Sequence, residues 1–189
     1  MNIHTTEDSV RILGKTFSLL IAPGRIQSRI EEMAMEISND FLKKNPLFIC
    51  VMNGAFLFTA DLLRHIHPRS GLDFIRVSSY NGTEREKTIR TIWGLTEKIS
   101  GRNIIILEDI IDSGNTISYL CEELEKEKPL SVCVASLLLK DIPRESAVKI
   151  AYTGFKIPDV FVAGYGMDYH GEGRNLQGIY KLINSNNPC

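Results

Sequence analysis

Three carboxylates, two hydroxyls and a glycine fall within one decapeptide, Leu107-Glu-Asp-Ile-Ile-Asp-Ser-Gly-Asn-Thr116. Each type has a use at that spacing. Gly114 permits a tight turn and lets backbone approach a ligand closely. Successive amides from Ser113 through Asn115 to Thr116, at the start of a helix, form an anion site, and the hydroxyls of Ser113 and Thr116 add donors for a phosphate. A plainer reading competes, in which Ser113, Asn115 and Thr116 only cap the helix. The acids weigh against it. Glu108, Asp109 and Asp112 beside a phosphate cradle are electrostatically unfavourable unless they have other work. Adjacent carboxylates accept hydrogen bonds from vicinal sugar hydroxyls or hold hydrated magnesium. Sugar and phosphate together point to a ribose 5-phosphate.

Such a segment needs a strand before it and a helix after it, and the surrounding pattern supplies both. Asn103-Ile-Ile-Ile-Leu107 is an apolar run of strand length, and Ile117, Leu120, Cys121 and Leu124 recur at helical spacing over 116–127. Earlier, 25–43 reads as a helix, Leu47-Phe-Ile-Cys-Val-Met52 as a buried strand, 55–66 as a helix and Asp73–Tyr80 as a strand. Asn81–Arg90 is polar without apolar periodicity and reads as a loop, with a short returning strand over Thr91–Gly94. Ser131–Leu139 and Asp159–Gly164 read as further strands. Strands alternating with helices predict an α/β fold with a central parallel sheet flanked by helices and right-handed crossovers. Ligands in such sheets gather beyond the carboxyl ends of the strands.

The chain of 189 residues suits a single domain over 1–189. Its net charge of −1 gives no reason to expect nucleic acid or a membrane surface as partner. No apolar run reaches membrane-span length, and the polar N-terminus lacks the layout of a signal peptide. Cys50, Cys121, Cys133 and Cys189 have neither metal-finger nor redox spacing, which fits free thiols in a reducing cytoplasm.

The decapeptide resembles the phosphoribosyl pyrophosphate (PRPP) signature of type I phosphoribosyltransferases, with Ser113 where many members carry Thr. Nearly the whole chain is similar to hypoxanthine-guanine phosphoribosyltransferases. Val51-Met-Asn-Gly-Ala55 resembles the family's pyrophosphate loop, with Asn53 where many members have Lys or Arg, and Gly54 following it. Ser78-Ser-Tyr80 with the stretch to Arg90 looks like the loop that closes over the reacting centre, through Ser79 and Tyr80. Leu137-Leu-Leu-Lys140 resembles the strand whose lysine meets the purine 6-oxo group. Pro158–Tyr169, with Arg174 beyond, resembles the base-stacking and metal segment.

This resemblance implies the type I phosphoribosyltransferase fold, with a small hood from the N-terminal segment and roughly 155–189. It implies transfer of phosphoribosyl from PRPP to N9 of hypoxanthine or guanine, with Mg²⁺ as cofactor. Glu108, Asp109 and Asp112–Thr116 would bind the ribose phosphate. Asn53, Gly54, Ser79, Tyr80 and Arg174 would meet pyrophosphate, and Lys140, Phe161, Val162 and Asp168 the purine. Glu108, Asp109 and Asp168 would serve magnesium, and Asp112 would handle the proton at N7. His170 beside Asp168 is expected to be a loop residue, because magnesium prefers oxygen ligands. A homodimer or homotetramer is implied. Open alternatives are a PRPP-sensing regulator of the same fold and a phosphoribosyltransferase for xanthine or a pyrimidine. Away from the resemblance, Lys140 reads as a solvated strand-end lysine and Phe161 as core.

Overall fold

A computed structural model describes residues 5–6, 9–67, 69–81, 87–143 and 148–183, with backbone only at 5–6, 78–81 and 87–93. The elements run β1 (Thr5–Thr6), β2 (Ser9–Ile12), β3 (Lys15–Ile21), α1 (Pro23–Asp40), β4 (Leu47–Met52), α2 (Phe56–Arg64), β5 (Gly71–Asn81) and β6 (Lys87–Trp93). There follow β7 (Asn103–Ile111), α3 (Asn115–Lys126), β8 (Ser131–Lys140), β9 (Ile150–Ile157), β10 (Val162–Ala163) and β11 (Ile179–Leu182).

The larger sheet has the order β6-β5-β4-β7-β8-β9. Neighbours from β5 to β9 pair in parallel, and β6 lies antiparallel on the edge. Burial on both faces explains the unbroken apolar runs. In β4 and β7, Phe48, Ile105 and Leu107 face one core, packed with Ile26, Ile30, Met33 and Ile37 of α1 and with Phe58 and Leu62 of α2. Leu47, Ile49, Ile104 and Ile106 face the other, where α3 contributes Ile117, Leu120 and Leu124. The expected parallel α/β sheet with flanking helices is the fold adopted.

The smaller sheet is antiparallel, in the order β1-β2-β3-β11-β10, so segments from both ends of the chain meet in it. Ile21, Val162, Tyr165 and Ile179 from this region pack into the same core as α1 and α2.

Several boundaries differ from the sequence reading, each for a physical reason. Helix α1 starts at Pro23, since proline suits the first helical position. Strand β7 runs on to Ile111, so Glu108 and Asp109 lie inside it rather than beyond its end. Asp159–Gly164 does not extend the parallel sheet: only Val162–Ala163 is a strand, and it pairs with β11. The parallel strand after β8 is instead β9, whose half-buried Ile-Ala-Tyr-Thr-Gly-Phe-Lys-Ile sequence shows no apolar run. Within the supposed loop, Asn81 and Lys87–Arg90 are strand, because backbone pairing needs no apolar periodicity and Thr88, Ile89 and Thr91 favour extended backbone. Residues 82–86 of that loop lie outside the described residues, as does Cys189. Cys50, Cys121 and Cys133 are free thiols. No helix among the described residues is long and apolar enough to cross a membrane.

Candidate active site

From β4 the chain passes to β5 on one side and returns as β7 on the other. Crossovers therefore leave these two strands in opposite directions, and a crevice opens at their carboxyl ends. The segments singled out in the sequence end there.

Beyond β7, Asp112 and Ser113 lead into Gly114, which takes the left-handed conformation (φ 85°) and stands at the N-cap of α3. No side chain caps this helix. Ser113, Asn115 and Thr116 thus do not serve as caps, and the first amides of α3 are left for an anion. Glu108, Asp112, Ser113, Gly114, Asn115 and Thr116 are among the residues lining a cavity of about 90 Å³. A larger cavity, about 230 Å³, adjoins it and is lined by Asp109, Asp112, Lys140, Phe161, Val162 and Asp168, with Ile110, Val160 and Met167 completing the wall. Asp112 and Ile110 belong to both.

Lys140, at the end of β8, is not a solvated lysine. Its side chain is 13% exposed and its Nζ lies 2.8 Å from both Asp112 Oδ2 and Asp159 Oδ1. Burial opposes its charge, yet the hydrogen bonds to the two carboxylates prevail and hold its pKa above the ordinary value. Phe161 is not core either. It is 48% exposed, its ring held edge-on against Phe17 and Tyr169 with centroids 6.4 and 5.6 Å away. An aromatic surface fixed in this way at a cavity wall can receive a planar ligand.

On the other flank, Asn53 is exposed at the end of β4, after a cis Met52–Asn53 peptide. A Cβ on Gly54 would fall 1.7 Å from Asp109 Oδ2, and one on Gly166 would fall 2.1 Å from the Gly54 carbonyl oxygen. Arg174 donates to the Gly166 carbonyl (2.7 Å) and pairs with Asp168 (2.6 Å), whose other oxygen accepts from the Gly171 amide. Ser79 and Tyr80 lie near the end of β5, paired with Ile89 and Thr88 of β6; only their backbone is described. His170 is an exposed loop residue against the Tyr169 ring.

Residues 21–170 match the sequence profile of the phosphoribosyl transferase domain. The chain belongs to the phosphoribosyltransferase family. It is 41% identical to the hypoxanthine-guanine phosphoribosyltransferase of Bacillus subtilis (strain 168), over 84% of this chain and 88% of that protein. It is 40% identical to the hypoxanthine-guanine-xanthine phosphoribosyltransferase of Tritrichomonas foetus, over 80% and 83%. The crystal structure of a hypoxanthine-guanine phosphoribosyltransferase from Bacillus anthracis matches with a TM-score of 0.84 at 37% identity, covering 88% of this chain and 98% of that one. The larger sheet and its helices are accordingly the type I phosphoribosyltransferase fold.

In this phosphoribosyltransferase the two adjacent acids differ in depth, Glu108 being buried and Asp109 half-buried at the cavity wall. Glu108 is 9% exposed and its Oε2 has no hydrogen-bond partner. Burial, and then the charge of Asp109, push its pKa well above the carboxylate range. Burial also raises Asp109 to about 6, against backbone hydrogen bonds and nearby Arg174 that lower it. The folded protein therefore holds these protons after the unfolded chain has lost them. Their contribution to stability falls as pH rises from the ordinary carboxylate range through the raised values. Glu108→Gln is expected to remove one such group. The stability difference between variant and ligand-free wild type should grow in the variant's favour above about pH 4.5, by at most about 1.4 kcal/mol per pH unit. Thermal melts of both proteins across pH 4–8 check this, and a constant difference would contradict the buried assignment.

The glycine contacts make a second test. Gly166 (φ 97°) and Gly171 (φ 89°) both have left-handed backbones, but a Cβ on Gly171 meets nothing within 4 Å. Gly171→Ala is expected to cost only the backbone term, roughly 1–3 kcal/mol. Gly166→Ala adds a clash with the Gly54 backbone, so its melting temperature should fall further. Equal losses would show that the packing at Gly54 is slack.

Sequence reasoning missed Asp159, the second partner of Lys140, and the apolar wall of Ile110, Val160 and Met167. Asp159 carried a signal, since it stands two residues before Phe161 in a segment already singled out. The wall residues carried none beyond being apolar.

Proposed function

We propose that the protein transfers the 5-phosphoribosyl group of PRPP to N9 of hypoxanthine or guanine, releasing pyrophosphate and forming IMP or GMP. The observation that carries this reading is the pair of adjoining cavities that share Asp112. One offers uncapped helix amides and hydroxyls to a phosphate, and the other offers Lys140 and Phe161 to a planar base. Membership of the phosphoribosyltransferase family and identities near 40% to hypoxanthine-guanine enzymes support it.

In the proposed reaction the 5-phosphate sits on the amides and hydroxyls of Ser113–Thr116, and Glu108 and Asp109 accept from the ribose hydroxyls. Phe161 stacks on the purine, with Val162 and Asp168 beside it, and Lys140 donates to O6. As the purine N9 lone pair forms its bond to the anomeric carbon, the bond to pyrophosphate breaks and the N7 proton passes to Asp112. Arg174, the Asn53–Gly54 backbone, Ser79 and Tyr80 are assigned to the departing pyrophosphate.

Magnesium fits this donor set. Among the described residues no group of three or more His, Cys, Asp or Glu side chains gathers to hold a metal. Glu108, Asp109 and Asp168 do not form a closed cage of their own. Such a site suits an ion that keeps its waters and takes substrate oxygens beside one or two carboxylates, and Glu108 Oε2 is left without a partner. When bound, magnesium would neutralise charge on the pyrophosphate. We assign the protein to the cytoplasm as a homodimer or homotetramer with small-molecule substrates only.

The deciding experiment incubates the protein with PRPP, magnesium and each free base in turn (hypoxanthine, guanine, xanthine, adenine, uracil) and follows nucleotide and pyrophosphate formation. Product from hypoxanthine or guanine is the expected result. PRPP binding without product from any base would favour the regulator, and product from xanthine or uracil alone would move the substrate class.

A further inference from the structure

The turn at 164–166 takes positive φ at three successive positions, 106°, 47° and 97°, and its middle residue is a tyrosine. A left-handed backbone is unfavourable for a bulky side chain and persists only where the surroundings hold it. Here backbone hydrogen bonds, among them Tyr165 N–H to the Leu176 carbonyl at 2.8 Å, and the tyrosine side chain hold it together. Tyr165 is 4% exposed and its hydroxyl donates to Asp61 Oδ2 at 2.5 Å. That oxygen also accepts from Gln27 Nε2 at 2.8 Å, and Arg64 lies 3.7 Å from the other. Asp61 is on α2 and Gln27 on α1, so one carboxylate ties the turn to both helices on that face of the sheet.

What the turn carries makes the anchor matter. Its next residue, Gly166, lies against the Gly54 carbonyl and accepts from Arg174, and its amide donates to the Arg174 carbonyl at 2.9 Å. Gly54 in turn lies against the Asp109 carboxylate, and α2 begins two residues after Gly54. The Tyr165–Asp61 bond thus closes a ring: α2, the Asn53–Gly54 loop, Gly166, Tyr165 and back to α2.

We propose that Tyr165 is a positioning residue for the pyrophosphate side of the site, its hydroxyl bond to Asp61 fixing Gly166 and Arg174 against the Asn53–Gly54 loop. This rests on the proposed reaction for the name of the ligand. The ring itself is independent of which base is used.

Tyr165→Phe removes the bond and little volume. PRPP with magnesium, titrated by calorimetry, should bind about tenfold more weakly, the loss expected for a hydrogen bond to a charged group. KM for PRPP should rise in parallel, while KM for hypoxanthine at saturating PRPP stays within about twofold of wild type. Asp61→Asn keeps an acceptor but not its charge and should lose less than Tyr165→Phe. Asp61→Leu should reproduce Tyr165→Phe, and combining the two should add nothing further. A lowered melting temperature with unchanged PRPP binding would overturn the proposal and leave Tyr165 a purely structural anchor. Equal losses for PRPP and hypoxanthine would overturn it too. If wild type bound PRPP but formed no nucleotide, the proposed reaction would fail while the calorimetric comparison still decided the role of Tyr165.

Discussion

Asp112→Asn is expected to lower turnover by about 10²–10⁴-fold, the usual cost of losing a general acid–base group, with far less effect on PRPP binding. The side chain is 58% exposed and bonded to Lys140, which keeps Asp159 as a second partner. The fold therefore has little to lose from the change, and the melting temperature should barely move. Asparagine retains an oxygen that can accept a hydrogen bond from N7–H, but it cannot take the proton. The loss should thus appear in kcat. Steady-state kinetics with hypoxanthine, alongside calorimetric titration of PRPP with magnesium, make the check. Weakened PRPP binding with turnover intact would move Asp112 from proton handling to ribose-phosphate binding.

The second large effect concerns the choice of base. Lys140 carries donors only, and its raised pKa keeps it an ammonium across the working range. Purine O6 is an acceptor, whereas adenine presents an amino group at that position. Two donors would then face each other at a lysine whose side chain is only 13% exposed. A site built around such a bond rejects the analogue lacking it by roughly 10⁴–10⁵-fold, so adenine should be a very poor substrate. The ammonium is engaged by Asp112 and Asp159, and an incoming O6 must compete with them. Lys140→Gln should narrow the gap mainly through lost activity on hypoxanthine, since an amide can present either a donor or an acceptor. The ratio of kcat/KM for hypoxanthine to that for adenine, in both proteins, is the measurement. An unchanged ratio would leave Lys140 with a structural role alone.

The parallel sheet was legible because doubly buried strands such as β4 and β7 announce themselves as apolar runs. The strand–turn–helix segment over 107–116 was legible because its residues are contiguous. What was not legible depends on distance along the chain or on the counting of faces. That Glu108 lies within β7, without a partner for Oε2, follows from the strand's length, which the charged pair disguised. Strand β9 alternates too weakly to be seen, yet it borders β8 all the way to Lys140. The partnership of Tyr165 with Asp61 joins residues 104 positions apart, and no local pattern could pair them. Only Gly114 was read for its backbone freedom. Gly54 and Gly166, which leave room for a carboxylate and for neighbouring backbone, carried no local signal of that role.

The neighbouring of β4 and β7 bears on how the chain reaches its folded state. A helix and two further strands intervene between them, so their pairing closes a long loop whose entropy must be met before any contact rewards it. The helices can form locally and early, but the crevice comes into being only when this distant pairing is made. Recovery of PRPP binding during refolding should therefore lag behind the return of helical signal, and would report the moment at which the two halves of the sheet join.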